Sequence, residues 1–309
     1  MKQDILLVGT GALATLFAAR LSEAGHGVHM LGTWKKGLAE LQMHGARIKD
    51  VDGNEHAYEV HATDDPLEVR DAKYALVLVK SWQTERAAHQ LKQVLASDGL
   101  AVTLQNGIGN RETLTRDLGP ARVSLGVTTT GATLLGPGLV KMGGEGILSL
   151  EQNQALGPLE AALRSSNFNL QIVEDAQSLI WGKLVINAAI NPLTALLQVS
   201  NGELLSHPKA RRMMGELARE TAEVAAAEHV HLPFNNPVDA AEDVARTTAA
   251  NYSSMFQDVL RGAPTEIDAI SGAVMKRGAK HGIKTPYNKA CWTMVRATVR
   301  GGVHPVYAG

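Results

Sequence analysis

The sequence predicts an α/β fold, with an N-terminal domain on a parallel sheet followed by an all-helical C-terminal domain. Three observations predict it. The apolar run Asp4-Ile5-Leu6-Leu7-Val8 leads into a turn of small residues and then a helical pattern. Short apolar runs of strand length continue, with helical stretches among them, as far as Val173. From about Asp175 the pattern turns helical and stays so. A chain of 309 residues holds about two domains with sizeable cores. The expected boundary gives residues 1–174 and 175–309.

The first elements read strand, turn, helix, strand. After Val8 comes Gly9-Thr10-Gly11-Ala12-Leu13-Ala14, then helix to about Glu23, ended by Gly25-His26-Gly27. Val28 to Leu31 is the second strand. Gly9 permits a tight turn, Gly11 lets the backbone approach a pyrophosphate, and Ala14 permits close packing of helix on strand. Ala12 and Leu13 open the helix, whose N-terminus offers N–H groups and a positive dipole to phosphate. The domain is therefore expected to be a Rossmann-type dinucleotide-binding domain.

The end of the second strand selects the cofactor. An NAD enzyme usually places Asp or Glu there for the ribose hydroxyls. This chain has Gly32-Thr33-Trp34-Lys35-Lys36 and no acid. A hydroxyl and two lysines suit a 2′-phosphate, which points to NADP(H). The alternative reading takes Lys35 and Lys36 as solvated charges at a helix start.

Strands follow at Tyr74 to Val79, Leu100 to Leu104 and Val123 to Val127. Their carboxyl ends carry Lys80-Ser81-Trp82-Gln83, Gln105-Asn106-Gly107-Ile108-Gly109 and Thr128-Thr129-Thr130-Gly131. Ligands of open parallel sheets bind at such ends. Lys80 could hold a phosphate or a carboxylate, and Asn106 could hold nicotinamide or substrate. Gly136 to Leu150 reads as strands or a hairpin, Pro158 to Arg164 as helix, and Leu170 to Val173 as a strand.

The second half is dominated by Trp181 to Thr194. Lys183, Asn187 and Asn191 stand at i, i+4 and i+8, so a helix places them on one face, about a turn apart. Their neighbours are mostly apolar, and buried ammonium and amide groups are costly without partners. A small polar substrate is the expected partner. Pro192 removes a backbone donor and disfavours helical geometry at Asn191, so a kink is expected. Asn251 and Ser254 share a face if their segment is helical. Thr265-Glu266-Ile267-Asp268 is expected to open another helix in a pattern like a capping box, with Ile267, Ile270 and Val274 on its core face. Glu266 would then sit in the first turn, where the dipole favours its ionised form.

Composition narrows the function. A net charge of −1 gives no reason to expect nucleic acid or an anionic membrane surface as partner. The single Cys291 excludes an intrachain disulfide and fits a reducing, cytoplasmic compartment. Ile5 to Leu21 is apolar behind Lys2, but Asp4, Gly9 and Gly11 argue against a signal peptide. No run is read as long enough to span a bilayer. No clustered His and Cys ligand set suggests a metal. Self-association into a homodimer is left open, and Arg300 to Pro305 is read as a loose end.

Over essentially its whole length the chain resembles the ketopantoate reductase (2-dehydropantoate 2-reductase) family. The resemblance is carried by Gly9-Thr10-Gly11-Ala12-Leu13, Lys80-Ser81-Trp82-Gln83, Asn106-Gly107-Ile108-Gly109, Lys183 to Thr194, Asn251 to Asp258, and Thr265-Glu266-Ile267-Asp268. It implies NADPH-dependent reduction of 2-dehydropantoate to pantoate, on the route to pantothenate and coenzyme A. It implies Lys183 as general acid and Glu266 as partner of a substrate hydroxyl. Asn187, Asn191, Asn251 and Ser254 match substrate-binding positions, and Lys80 and Asn106 match positions near the cofactor and reacting centre. One residue departs from the pattern. Members often carry arginine for the 2′-phosphate where this chain has Thr33, so Lys35 or Lys36 would have to serve. Burial would lower the pKa of Lys183 and Glu266 would raise it, and the sequence leaves that balance open. Two alternatives stand beside this reading: reduction of a different 2-keto acid, and a non-catalytic NADPH-binding sensor.

Overall fold

The computed structural model describes residues 2–300. Gly301 to Pro305 of the glycine-rich tail lies outside them. The chain forms two compact units. The first ends at Ala176 and omits Asn106–Gly109, which belongs with the second unit, begun at Gln177.

The first unit is α/β. Its strands are β1 (Asp4–Val8), β2 (Gly27–Leu31), β3 (Ala46–Lys49), β4 (Glu55–Tyr58), β5 (His61–Thr63), β6 (Ala72–Val77), β7 (Leu95–Thr103), β8 (Val123–Thr128), β9 (Ala132–Gly136), β10 (Leu139–Met142), β11 (Ile147–Glu151) and β12 (Asn169–Val173). Its helices are α1 (Ala12–Glu23), α2 (Lys35–His44), α3 (Thr84–Val94), α4 (Asn110–Leu118) and α5 (Gly157–Ser165). The main sheet has eight strands in the order β12-β11-β8-β7-β6-β1-β2-β5. From β5 to β8 every pairing is parallel, while β11 runs antiparallel to β8. A second sheet, β4-β3-β10-β9, contains the β9–β10 hairpin, so of the stretch Gly136 to Leu150 read as strands or a hairpin, β10 lies in this sheet and β11 in the main one.

Burial on both faces explains the unbroken apolar strands. Successive side chains alternate between faces. Ile5 and Leu7 of β1 enter the core formed with Phe17, Ala18 and Leu21 of α1. Leu6 and Val8 enter the opposite core with Ala87, Ala88 and Leu91 of α3. The strand order reverses about β1, which pairs with β2 on one side and β6 on the other. In open α/β sheets that reversal opens a crevice at the carboxyl ends of the strands.

The second unit is helical: α6 (Gln177–Leu197), α7 (Glu203–Ser206), α8 (Pro208–Ala227), α9 (Pro237–Thr247), α10 (Ser254–Leu260), α11 (Ser271–Lys280) and α12 (Pro286–Arg300). α6 is its axle. Trp181, Leu184 and Ala188 pack with Met255, Phe256 and Val259 of α10. Val185, Ala189 and Leu193 pack with Met214, Leu217 and Ala218 of α8 and with Ala241 of α9. Helix persists through Pro192, so the proline interrupts one backbone donor without ending the element. By length and composition α6 could cross a bilayer, contrary to the expectation from sequence, but most of it is buried inside the protein. Its apolar surface has helical partners, so no lipid is needed to cover it.

Helix starts follow the local chemistry. Asn236 caps α9 by accepting from Val238 N at 2.9 Å, and Ser253 caps α10 by accepting from Phe256 N at 3.1 Å. At α12 the cap comes from another helix. The buried carboxylate of Glu220, on α8, accepts from Tyr287 N (2.8 Å), Asn288 N (2.9 Å) and Asn288 Nδ2 (2.9 Å). A carboxylate at a helix N-terminus gains from the dipole as well as from the bonds. Removing it strands buried donors, which costs about 1–3 kcal/mol for each group left unsatisfied. Glu220→Ala is therefore expected to lower the thermal midpoint by several degrees, and Glu220→Gln by less. Equal midpoints for Glu220→Ala and the parent in calorimetry would show that this carboxylate does not hold α12.

Candidate functional site

Backbone geometry builds the nucleotide side. Gly9 follows β1 at φ +137°, and a Cβ there would lie 3.1 Å from the Leu78 carbonyl carbon. Only glycine suits this left-handed position pressed against the strand end beside it. Gly9 N donates to Leu31 O at 2.8 Å and Leu78 N donates to Val8 O at 2.9 Å, which ties the ends of β1, β2 and β6 together. Gly11 caps α1 in extended geometry, with no side-chain cap and no acid in the first turn. A Cβ built at Gly11 meets nothing within 4 Å. Open space in front of uncapped helix amides is what a pyrophosphate requires. Ala12 and Leu13 form the first turn of α1, and Ala14 is fully buried against the sheet. These residues fit a dinucleotide.

Polar groups gather at the neighbouring strand ends. Lys80 is half-buried after β6, in extended geometry, ahead of a short turn at Ser81–Gln83. Gln105 Nε2 donates to Val79 O (3.0 Å) and to Thr84 Oγ1 (2.8 Å), joining the loops after β6 and β7. Thr33 is exposed at the end of β2 and accepts from Arg86 Nη1 at 2.9 Å. Lys35 is exposed and paired with Asp64, whose carboxyl it holds below the usual range. The sequence singled out neither Arg86 nor Asp64. Arg86 lies six positions after Lys80, and only the placement of α3 beside the end of β2 brings it to Thr33.

The second unit carries the candidate acid–base group. Lys183, Asn187 and Asn191 run up one face of α6 at intervals of about a turn. Asn191 is buried, while Lys183 and Asn187 are half-buried. Burial pushes the Lys183 ammonium down to about 8, against the opposing pull of the Glu266 carboxylate. Desolvation thus wins the balance that the sequence left open. Glu266 is buried and accepts from Asn106 Nδ2 at 3.1 Å. The structure therefore brings Lys183, Glu266 and Asn106 into one cluster.

Gly107 fixes Asn106 in place. It has φ +80°, and a Cβ there would lie 2.3 Å from Ala269 O. That carbonyl accepts from Ile108 N at 3.1 Å. The helix expected to open at Thr265 differs for the same reason. Ala269 N and Ile270 N both donate to Glu266 O at 3.1 Å, forming a turn. The Ala269 carbonyl is then taken by Ile108, Ile270 leaves helical geometry with ψ −96°, and α11 begins only at Ser271. Glu266 lies in this turn, ahead of the helix.

Asn251 and Ser254 do not share a helical face. Asn251 precedes α10, and its carbonyl accepts from Asn201 N at 3.0 Å. Ser254 is the exposed first residue of α10, while the buried Ser253 caps it. Ser253 Oγ lies 2.7 Å from Thr194 Oγ1, a polar link between α10 and α6.

Comparison with known proteins agrees with both units. Residues 5–154 match the family described as ketopantoate reductase PanE/ApbA, and residues 175–299 match its C-terminal counterpart, ketopantoate reductase PanE/ApbA C terminal. A 2-dehydropantoate 2-reductase of Archaeoglobus fulgidus is 35% identical over 307 residues, covering 97% of this chain and 99% of the relative. A crystal structure of a PanE/ApbA family ketopantoate reductase from Ralstonia eutropha aligns with a TM-score of 0.90 at 29% identity, covering 98% of this chain and all of the other. D-mandelate dehydrogenase in a ternary structure with NADH and anilino(oxo)acetate aligns with a TM-score of 0.90 at 27% identity, covering 97% of this chain and 99% of the other. Two family matches, one on each unit, and a relative alike from end to end place this chain in the ketopantoate reductase family.

Proposed function

We propose that this protein reduces 2-dehydropantoate to pantoate with NADPH, the first unit binding the nucleotide and the second supplying substrate contacts and the proton. One observation carries the reading: a desolvated Lys183 ammonium beside a buried Glu266. When bound, the nicotinamide supplies hydride to the ketone carbon. The chain must then stabilise and protonate the oxygen that becomes negative. An ammonium within hydrogen-bond reach does both, and it does so better in a site depleted of water. A pKa near 8 suits the task, because the acid is protonated at neutral pH and gives up its proton more readily than an exposed lysine.

The remaining groups divide the substrate. Glu266 accepts from a substrate hydroxyl, with Asn106 orienting the carboxylate. Asn187, Asn191, Asn251 and Ser254 offer amide and hydroxyl donors to the keto acid. Gly9, Gly11, Ala12, Leu13 and Lys80 hold the dinucleotide, and Thr33 and Lys35 lie toward its adenosine end. The absence of an acid after β2 favours NADP(H) over NAD(H). A second reading keeps the chemistry and changes the substrate. The likeness to D-mandelate dehydrogenase favours a 2-keto acid with a different side chain. A steady-state assay with NADPH and NADH across a panel of 2-keto acids separates the two. The highest kcat/KM with NADPH and 2-dehydropantoate supports the first reading, and a higher value on another keto acid supports the second. Nucleotide binding without turnover on any of them leaves a sensor.

Two variants probe the cluster. Lys183→Ala is expected to lower kcat by about 10²–10⁴-fold while the nucleotide still binds. With Lys183 present, the acid is protonated below about pH 8 and deprotonated above it. The rate of reduction should therefore be flat below that pH and fall above it. A pH-independent rate from 6 to 10, or an unchanged kcat in Lys183→Ala, contradicts the role. Glu266→Ala is expected to raise KM by about 10–100-fold, the loss of a hydrogen bond to a charged acceptor. Unaltered KM and kcat would remove Glu266 from the substrate.

A further inference from the structure

The end of β2 holds a cation that the nucleotide motif does not explain. Arg86 is the third residue of α3, held by the buried Ala87 and Ala88 beside it and by Thr84, whose hydroxyl lies 2.7 Å from Ser81 O and 2.9 Å from Asn110 Oδ1. Its guanidinium lies beside Thr33, to which Nη1 donates at 2.9 Å. Among the described residues it forms no ion pair, and its Nε is buried without a partner. Among the described residues this half-buried guanidinium has a neutral hydroxyl as its side-chain partner, a setting that suits it to bind an anion. Lys35 is differently placed, because Asp64 already neutralises it.

Position decides which anion. The side chain that ends the second strand of a dinucleotide domain faces the adenosine ribose. Thr33 occupies that position, and the chain from Gly32 to Lys36 contains no carboxylate to repel a phosphate there. We propose that Arg86 binds the 2′-phosphate of NADP(H) and sets the preference over NAD(H), with Thr33 positioning its guanidinium. This rests on the reading of the first unit as an NADP(H) site. The arginine would reach the phosphate from α3, not from the strand end.

Binding of 2′,5′-ADP and of 5′-AMP tests this without turnover, by titration calorimetry on the full chain, Arg86→Gln, Arg86→Lys and Lys35→Gln. The expected result is tighter binding of 2′,5′-ADP than of 5′-AMP by the parent. Arg86→Gln should lose about 10–100-fold in 2′,5′-ADP affinity with 5′-AMP unchanged, as expected for a charge-assisted hydrogen bond. Arg86→Lys should recover part of the loss, and Lys35→Gln should change little. Retained 5′-AMP binding also shows that the variant is folded. If the parent prefers 2′,5′-ADP and Arg86→Gln keeps that preference, or Lys35→Gln loses it instead, the assignment to Arg86 is overturned and the NADP(H) reading survives. Equal losses for both nucleotides in Arg86→Gln also overturn it. If the parent does not distinguish the two nucleotides, the NADP(H) reading falls and the proposal falls with it.

Discussion

The second unit holds the Lys183 ammonium in surroundings that disfavour charge. An ammonium loses hydration when apolar helices pack around it, and a carboxylate or hydrogen-bond acceptors must offset that loss. α6 is apolar on the faces that meet α8, α9 and α10, and polar along the row of Lys183, Asn187 and Asn191. Glu266 restrains the fall in pKa without cancelling it. The rest of the cluster serves that carboxylate. Asn106 donates to it, Gly107 permits the close approach that delivers Asn106, and the turn at Glu266 is shaped by the bond from Ile108 to Ala269.

The first unit works by backbone more than by side chains. Gly9 lets the chain turn tightly against the Leu78 carbonyl, Gly11 leaves open space at the start of α1, and Lys80, Thr33 and Gln105 follow the carboxyl ends of neighbouring strands. Beyond the end of β2, Thr33, Lys35, Asp64 and Arg86 form a local electrostatic arrangement of their own. Pairing Lys35 with Asp64 leaves the guanidinium as the cation without a carboxylate among these residues.

Much of this was legible in the sequence where spacing and period carry the physics. The G-x-G-x-x-A turn, the two-faced apolar strands and the row at i, i+4, i+8 follow from local geometry alone. What the sequence hid depends on contacts distant along the chain. Arg86 acquires its meaning from Thr33, 53 positions away, and Glu266 from Asn106, 160 positions away. The turn at Glu266 read as a helix start because its residues have helix-start chemistry, and a remote amide claims the carbonyl the helix would have used. The cap on α12 was invisible because its carboxylate comes from α8. From sequence α6 is not read as long and apolar enough to span a bilayer, because Lys183 and the asparagines divide an otherwise continuous apolar run.

The most direct measurement is of the Lys183 ammonium itself, by NMR titration of selectively labelled lysine with Lys183→Ala used to assign the resonance. A midpoint near pH 8 is the result this account predicts, since burial outweighs the pull of Glu266. In Glu266→Gln the midpoint should fall further, because the opposing charge is gone. A midpoint near 10.4, the value of an ordinary lysine, would contradict it. The ammonium would then not be desolvated, and the physical basis for Lys183 as the proton donor would be lost.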